Sequence, residues 1–134
     1  MVKMYGTAAY ANVGLQSSVL NASPHQLIVL LFDGAISALI KAEIYLEQNN
    51  MVAKGNAISK AINIIDNGLK MALDMEKGNE ISRNLAALYD YFIRQLMQAN
   101  LKKDAVAIKH VRALLTDIAD SWKQIPSEQP QPQV

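Results

Sequence analysis

Proline occurs at positions 24, 126, 130 and 132 and nowhere else, so roughly a hundred consecutive residues contain nothing that forbids a helix interior. A stretch of that length without a breaker is room for several long helices, and its apolar pattern divides it. Ser23-Pro24 opens the first: serine caps orphan amides, and proline suits the first helical position because its missing N–H would be unpaired there anyway. Leu27, Leu31, Ala35, Ala38, Leu39, Ala42 and Leu46 then recur at helical spacing up to Glu47, before an Asn49-Asn50 break. A second stripe, Ile58, Ala61, Ile62, Ile65, Leu69, Ala72 and Leu73, follows a Gly55-Asn56 turn signal and is expected to end near Lys77-Gly78. Ile81, Leu85, Leu88, Tyr89, Phe92, Leu96 and Ala99 mark a third helix between Asn79 and Asn100. The fourth carries Ile108, Val111, Leu115, Ile118, Ala119 and Trp122, and Pro126 stops it after Ile125.

Short connections force each helix to lie antiparallel beside its predecessor. The expected fold is therefore all-α, an up-down four-helix bundle over residues 23–125, flanked by two segments of different character. Residues 126–134 are polar and proline-rich and are read as a disordered tail. Residues 1–22 mix Gly6 and Gly14 with Tyr5, Tyr10, Val13, Leu15, Val19 and Leu20, a composition for a marginal, partly helical segment that docks. No continuous apolar run marks a signal peptide or a membrane span, so the chain is read as soluble and not Sec-exported.

The residues offer little to a catalyst. There is no cysteine, hence no thiol nucleophile and no Cys-type zinc site. A di-iron bundle needs Glu-x-x-His units on facing helices, and no glutamate stands three residues before His25 or His110. Gly34, Gly55, Gly68 and Gly78 form no phosphate-binding loop, and no strand precedes one. Glu43, Glu47, Asp66, Asp74, Glu76 and Glu80 are scattered among lysines and asparagines, as on solvated helix faces. Thirteen basic against twelve acidic residues give a net charge of +1, without the basic excess of a phosphate-neutralising surface, so nucleic acid is not an expected partner. No cofactor and no metal are expected. A histidine phosphotransfer bundle is an alternative of similar size, but His110 is followed by Val-Arg-Ala-Leu and not by the His-x-Leu-Lys-Gly neighbourhood of such domains.

What the chain has in surplus is apolar surface. A bundle helix needs apolar side chains at about three positions in seven. Helix one exceeds this: Leu27-Ile28-Val29-Leu30-Leu31-Phe32, then Ala35-Ile36 and Leu39-Ile40, point in nearly every direction. Helix three adds Ile93 and Met97 beside Tyr89, Tyr91 and Phe92, and helix two adds Ile64, Met71 and Met75. Two readings stay open at this stage. Helix one is a central helix buried by its own domain, or one of its faces receives a segment of another chain.

The residues also resemble the flagellar export chaperone family, FliS. The resemblance rests on Tyr5 and Tyr10, on Ser23-Pro24-His25-Gln26-Leu27-Ile28 followed by Leu31-Phe32-Asp33-Gly34-Ala35, on Asn84-Leu85 leading to Leu88-Tyr89-Asp90-Tyr91, and on Trp122. Phe32 stands where many members have a tyrosine. The resemblance implies a cytosolic, non-catalytic chaperone that binds the disordered C-terminal region of flagellin and prevents its premature polymerisation. It further implies presentation of the client to the membrane gate of the flagellar type III export apparatus. Other flagellar regulators are candidate secondary clients, and both a monomer and a homodimer are compatible with the free state. On this reading Leu27, Ile28, Leu31, Phe32 and Ile36, with Tyr89, Ile93 and Met97, supply the partner contacts, and Tyr5 and Tyr10 form a displaceable cover. A purely structural, self-associating bundle is the remaining alternative.

Overall fold

The chain enters its first helix through a reciprocal cap. The Ser23 hydroxyl accepts from the Gln26 amide at 3.1 Å, and the Gln26 side chain accepts from the Ser23 amide at 3.1 Å. Two orphan donors are satisfied together, and Pro24 takes the first turn, an arrangement that stabilises by about 1 kcal/mol. The computed structural model describes residues 22–73 and 80–125. Four helices lie among them: α1 (Pro24–Glu47), α2 (Met51–Ile64), continued by a π-helical turn (Ile65–Lys70), α3 (Glu80–Lys102) and α4 (Ala105–Lys123). The N-terminal segment with Tyr5 and Tyr10, the expected end of helix two at Lys77-Gly78, the Asn79 cap and the tail lie outside the described residues.

Side chains that meet across the bundle fix its topology. His25 touches Trp122 and Glu43 pairs with Arg112, so α1 and α4 run antiparallel. Lys54 reaches Asn100 and Lys70 reaches Asp90, so α2 and α3 do the same. α1 packs most extensively on α2 and α4, while α3 packs on α4 and on the π-helical turn. The fold is the all-α bundle expected from the periodicity. Its interior combines Leu31, Phe32 and Leu39 of α1, Ile58 and Ile64 of α2, Phe92 and Leu96 of α3, and Ile108, Val111 and Leu115 of α4.

Two local expectations are corrected. Gly55 and Asn56 do not precede helix two; they lie inside it, because Asn50 caps the helix five residues earlier by accepting from the Ala53 amide at 3.2 Å. Helix three continues past Asn100 to Lys102 and ends where Lys103 takes a left-handed φ of 56°, as Asn49 does after α1 with φ 59°. The π-helical turn had no signal in the sequence. Gly68, within it, lies against α1 so closely that an added Cβ would stand 2.8 Å from Cδ2 of the fully buried Leu31. Gly68→Ala is expected to lower stability by about 1–2 kcal/mol, overpacking exceeding the gain in helix propensity. Urea unfolding reads this directly, and a more stable variant would show that Leu31 has room to turn aside.

One charge is taken inside. Lys54 is 3% exposed, and its ammonium donates to the Asn100 carbonyl at 2.9 Å, at the C-terminal end of α3 where carbonyls lack helical partners. The lysine thereby fastens the first turn of α2 to the last turn of α3.

Candidate partner-binding surface

Which face of α1 is core follows from its three neighbours. Leu31, Phe32, Ala35, Ala38, Leu39 and Ala42 point inward and are buried. Asp33, Ser37 and Lys41 mark the solvent side, and Ile36, Ile40 and Ile44 run beside them at a spacing of four residues. Ile36 is half-buried, but Ile40 and Ile44 are 44% and 46% exposed. Val29 and Leu30, also half-buried, extend the apolar surface toward the start of the helix. α1 is therefore both things at once: a core helix on one side and an apolar, solvent-facing helix on the other.

The expected contact residues divide accordingly. Leu31, Phe32 and Tyr89 are inside the core, at 0%, 1% and 3% exposure, and desolvation pushes the Tyr89 phenol up to about 12. In this conformation they support the surface from beneath. Leu27, Ile28, Ile36 and Ile93 are half-buried at the core's margin, and Met97 is exposed. Met97 lies one turn beyond Ile93 on α3, with Leu101 a further turn on, so the three line up along one edge of that helix. Sequence reasoning did not place Ile40 and Ile44 among the candidate surface residues. The polar stripe Asp33, Ser37, Lys41 was the available signal, because it locates the outward edge of α1 on which they lie.

The helices that carry these side chains are tied at specific points. The His25 ring stacks on Trp122 with centroids 5.1 Å apart; its Nε2 lies 2.9 Å from the Trp122 carbonyl, and the indole N–H donates to the His25 carbonyl at 3.2 Å. Arg112 binds Glu43 through two nitrogens, and this hydrogen bonding raises the guanidinium's proton affinity further. Lys70 pairs with Asp90 at 2.6 Å, which likewise raises the lysine, and Lys123 with Asp33 at 3.0 Å. Both of the latter are half-exposed and hold geometry more than they add stability. His110 lies against the Tyr91 hydroxyl at 3.0 Å. Among the described residues no three His, Cys, Asp or Glu side chains gather into a metal-holding group, and no helix is long and apolar enough to cross a membrane.

One further concavity lies on the seam of α1 and α2, a trough of about 290 Å³. Its lining includes the small residues Gly34 and Ala38 of α1 and Ala53 and Ala57 of α2, together with Lys41 of α1 and Lys60 of α2.

Apolar stripes on the outer faces of a helical bundle are the kind of surface that amphipathic segments of other chains cover. The family described as "Flagellar protein FliS" matches residues 6–129. The flagellar secretion chaperone FliS of Salmonella typhimurium (strain LT2) is 63% identical over 120 residues, 90% of this chain and 89% of its own. Its counterpart in Escherichia coli (strain K12) is 50% identical over 119 residues, 89% of this chain and 88% of its own. A more distant relative, the flagellar secretion chaperone FliS of Bacillus subtilis (strain 168), is 35% identical over 109 residues, 81% of this chain and 80% of its own. The chain belongs to the FliS family of flagellar proteins.

Proposed function

We propose that the chain is a flagellar secretion chaperone that acts in the cytosol without catalysing a reaction. It binds the disordered C-terminal region of flagellin, keeps that region from polymerising early, and hands it to the membrane gate of the flagellar type III export apparatus. The observation that carries this reading is the solvent-facing apolar edge of α1, Ile40 and Ile44, in a chain of this family. A client laid along it, and along Ile93 and Met97 of α3, removes apolar area from water, at roughly 1.5–3 kcal/mol for each fully covered large side chain. A few such anchors offset the ~2–5 kcal/mol cost of ordering a disordered segment. Leu27, Ile28 and Ile36 extend the contact, Leu31, Phe32 and Tyr89 back it, and Tyr5 and Tyr10 are its displaceable cover. Other flagellar regulators that present similar amphipathic segments are candidate secondary clients.

Titration calorimetry with the C-terminal segment of flagellin from the same source tests the reading. The expected result is stoichiometric binding with a negative heat-capacity change, the mark of apolar burial. A folded protein that shows no heat at tens of micromolar, on the order of an affinity of −6 kcal/mol or weaker, would overturn it.

A further inference from the structure

We propose that the α1–α2 trough is a second subsite for the same client, one that takes a carboxylate-bearing stretch of the bound polypeptide between Lys41 and Lys60. The inference rests on the client reading above and adds to it the chemistry of one contact. The trough is lined by two lysines and by no aspartate or glutamate. Three cations of these helices have acidic partners, Lys70 in Asp90, Arg112 in Glu43 and Lys123 in Asp33. Lys41 and Lys60 are exposed and, among the described residues, have no acidic partner. Two like charges lining one concavity attract an anion more strongly than either alone, because their fields add there. Tyr45, also in the lining, carries a hydroxyl able to donate.

Shape narrows the anion to one carried on a polypeptide. Four of the lining residues, Gly34, Ala38, Ala53 and Ala57, end at Cβ or lack one, so a backbone can approach α1 and α2 closely, and the space of about 290 Å³ holds a few side chains. Position links the trough to the apolar edge: Lys41 follows Ile40 directly and precedes Ile44 by less than a turn. A segment lying along α1 therefore covers Ile40 and Ile44 with its apolar side and meets the lysines with the other. The chain's own N-terminal flank cannot supply this contact, since residues 1–22 contain no aspartate and no glutamate. A cover formed by that flank would leave the two lysines for the client to neutralise.

The test is calorimetry of the full chain against the C-terminal segment of flagellin, for wild type and for Lys41→Glu/Lys60→Glu, at low and at high salt. Circular dichroism of the free variant should match wild type, because both lysines are exposed and unpaired. The double variant is expected to bind roughly tenfold more weakly at low salt or worse, with the gap narrowing as the screening length falls to about 3 Å near 1 M salt. Lys41→Gln/Lys60→Gln should fall between the two. Wild-type affinity in the charge-reversed variant overturns the subsite and leaves the client reading standing. Absence of binding by wild type overturns both. A self-dimer that the charge reversal dissolves, with client affinity unchanged, assigns the trough to a second copy of the chain and also overturns the proposal.

Discussion

Phe92→Ala is expected to cost the protein about 3–5 kcal/mol, a large share of the roughly 5–15 kcal/mol that holds an ordinary domain folded. Phe92 has no exposed surface, and its ring lies between Tyr89 and Tyr91, with centroids 6.4 and 6.1 Å away. Truncation removes the transfer energy of a whole ring and leaves a cavity that the neighbouring helices cannot close, since they are held at Lys54–Asn100, Lys70–Asp90 and Tyr91–His110. Thermal melting should fall by roughly 10 to 25 °C. A loss below about 1 kcal/mol would mean that the interior around α3 collapses freely and is not packed as described.

The second large effect is on binding. Ile40→Gln/Ile44→Gln should leave the free bundle intact, because both side chains are already half in water and glutamine is a good helix former. Affinity for the C-terminal segment of flagellin should nevertheless drop about tenfold to a hundredfold, because each side chain, already half-buried, gains about half of the roughly 1.5–3 kcal/mol that full burial contributes. The change carries no charge, so the loss should be insensitive to salt, unlike that of the lysine pair. Unaltered affinity would move the client to the α3 edge at Ile93 and Met97, where Ile93→Asn then becomes the discriminating substitution. The contrast between Phe92, which should govern stability, and Ile40 with Ile44, which should govern binding, separates the two sides of one apolar inventory.

That separation is also where the sequence stopped being sufficient. Helix α1 was readable to the residue at both ends because its signals are local: serine and proline at the start, asparagines at the end. The start of α2 was misplaced because Gly55-Asn56 reads as a turn to any local rule, whereas in the fold Gly55 lies where an added Cβ would be 3.7 Å from the Asn100 side chain. The Asn50 cap and the packing of α2 on α3, far away in sequence, override the local turn signal, and an added Cβ at Gly55 would make only ordinary contact. The π-helical turn is similar, with Gly68 seated on Leu31 of another helix. For the surface, periodicity showed that α1 carried too many apolar residues but could not phase them. Leu31 and Phe32 went to the core and Ile40 and Ile44 to the outside because α2 and α4 approach from particular directions. Such directions are set by the assembled bundle and not by any window of the chain.

The contact between His25 and Trp122 spans 97 residues of sequence. During synthesis, at roughly 5 to 20 residues per second, the first helix therefore waits about 5 to 20 seconds for the last one to emerge and cover its inner face. Until then the part of its inner face that α2 does not cover stays apolar and open, as its outer edge does. A protein whose proposed task is to shield a disordered segment passes through a similarly exposed condition itself, and the closing of α4 onto α1 ends it.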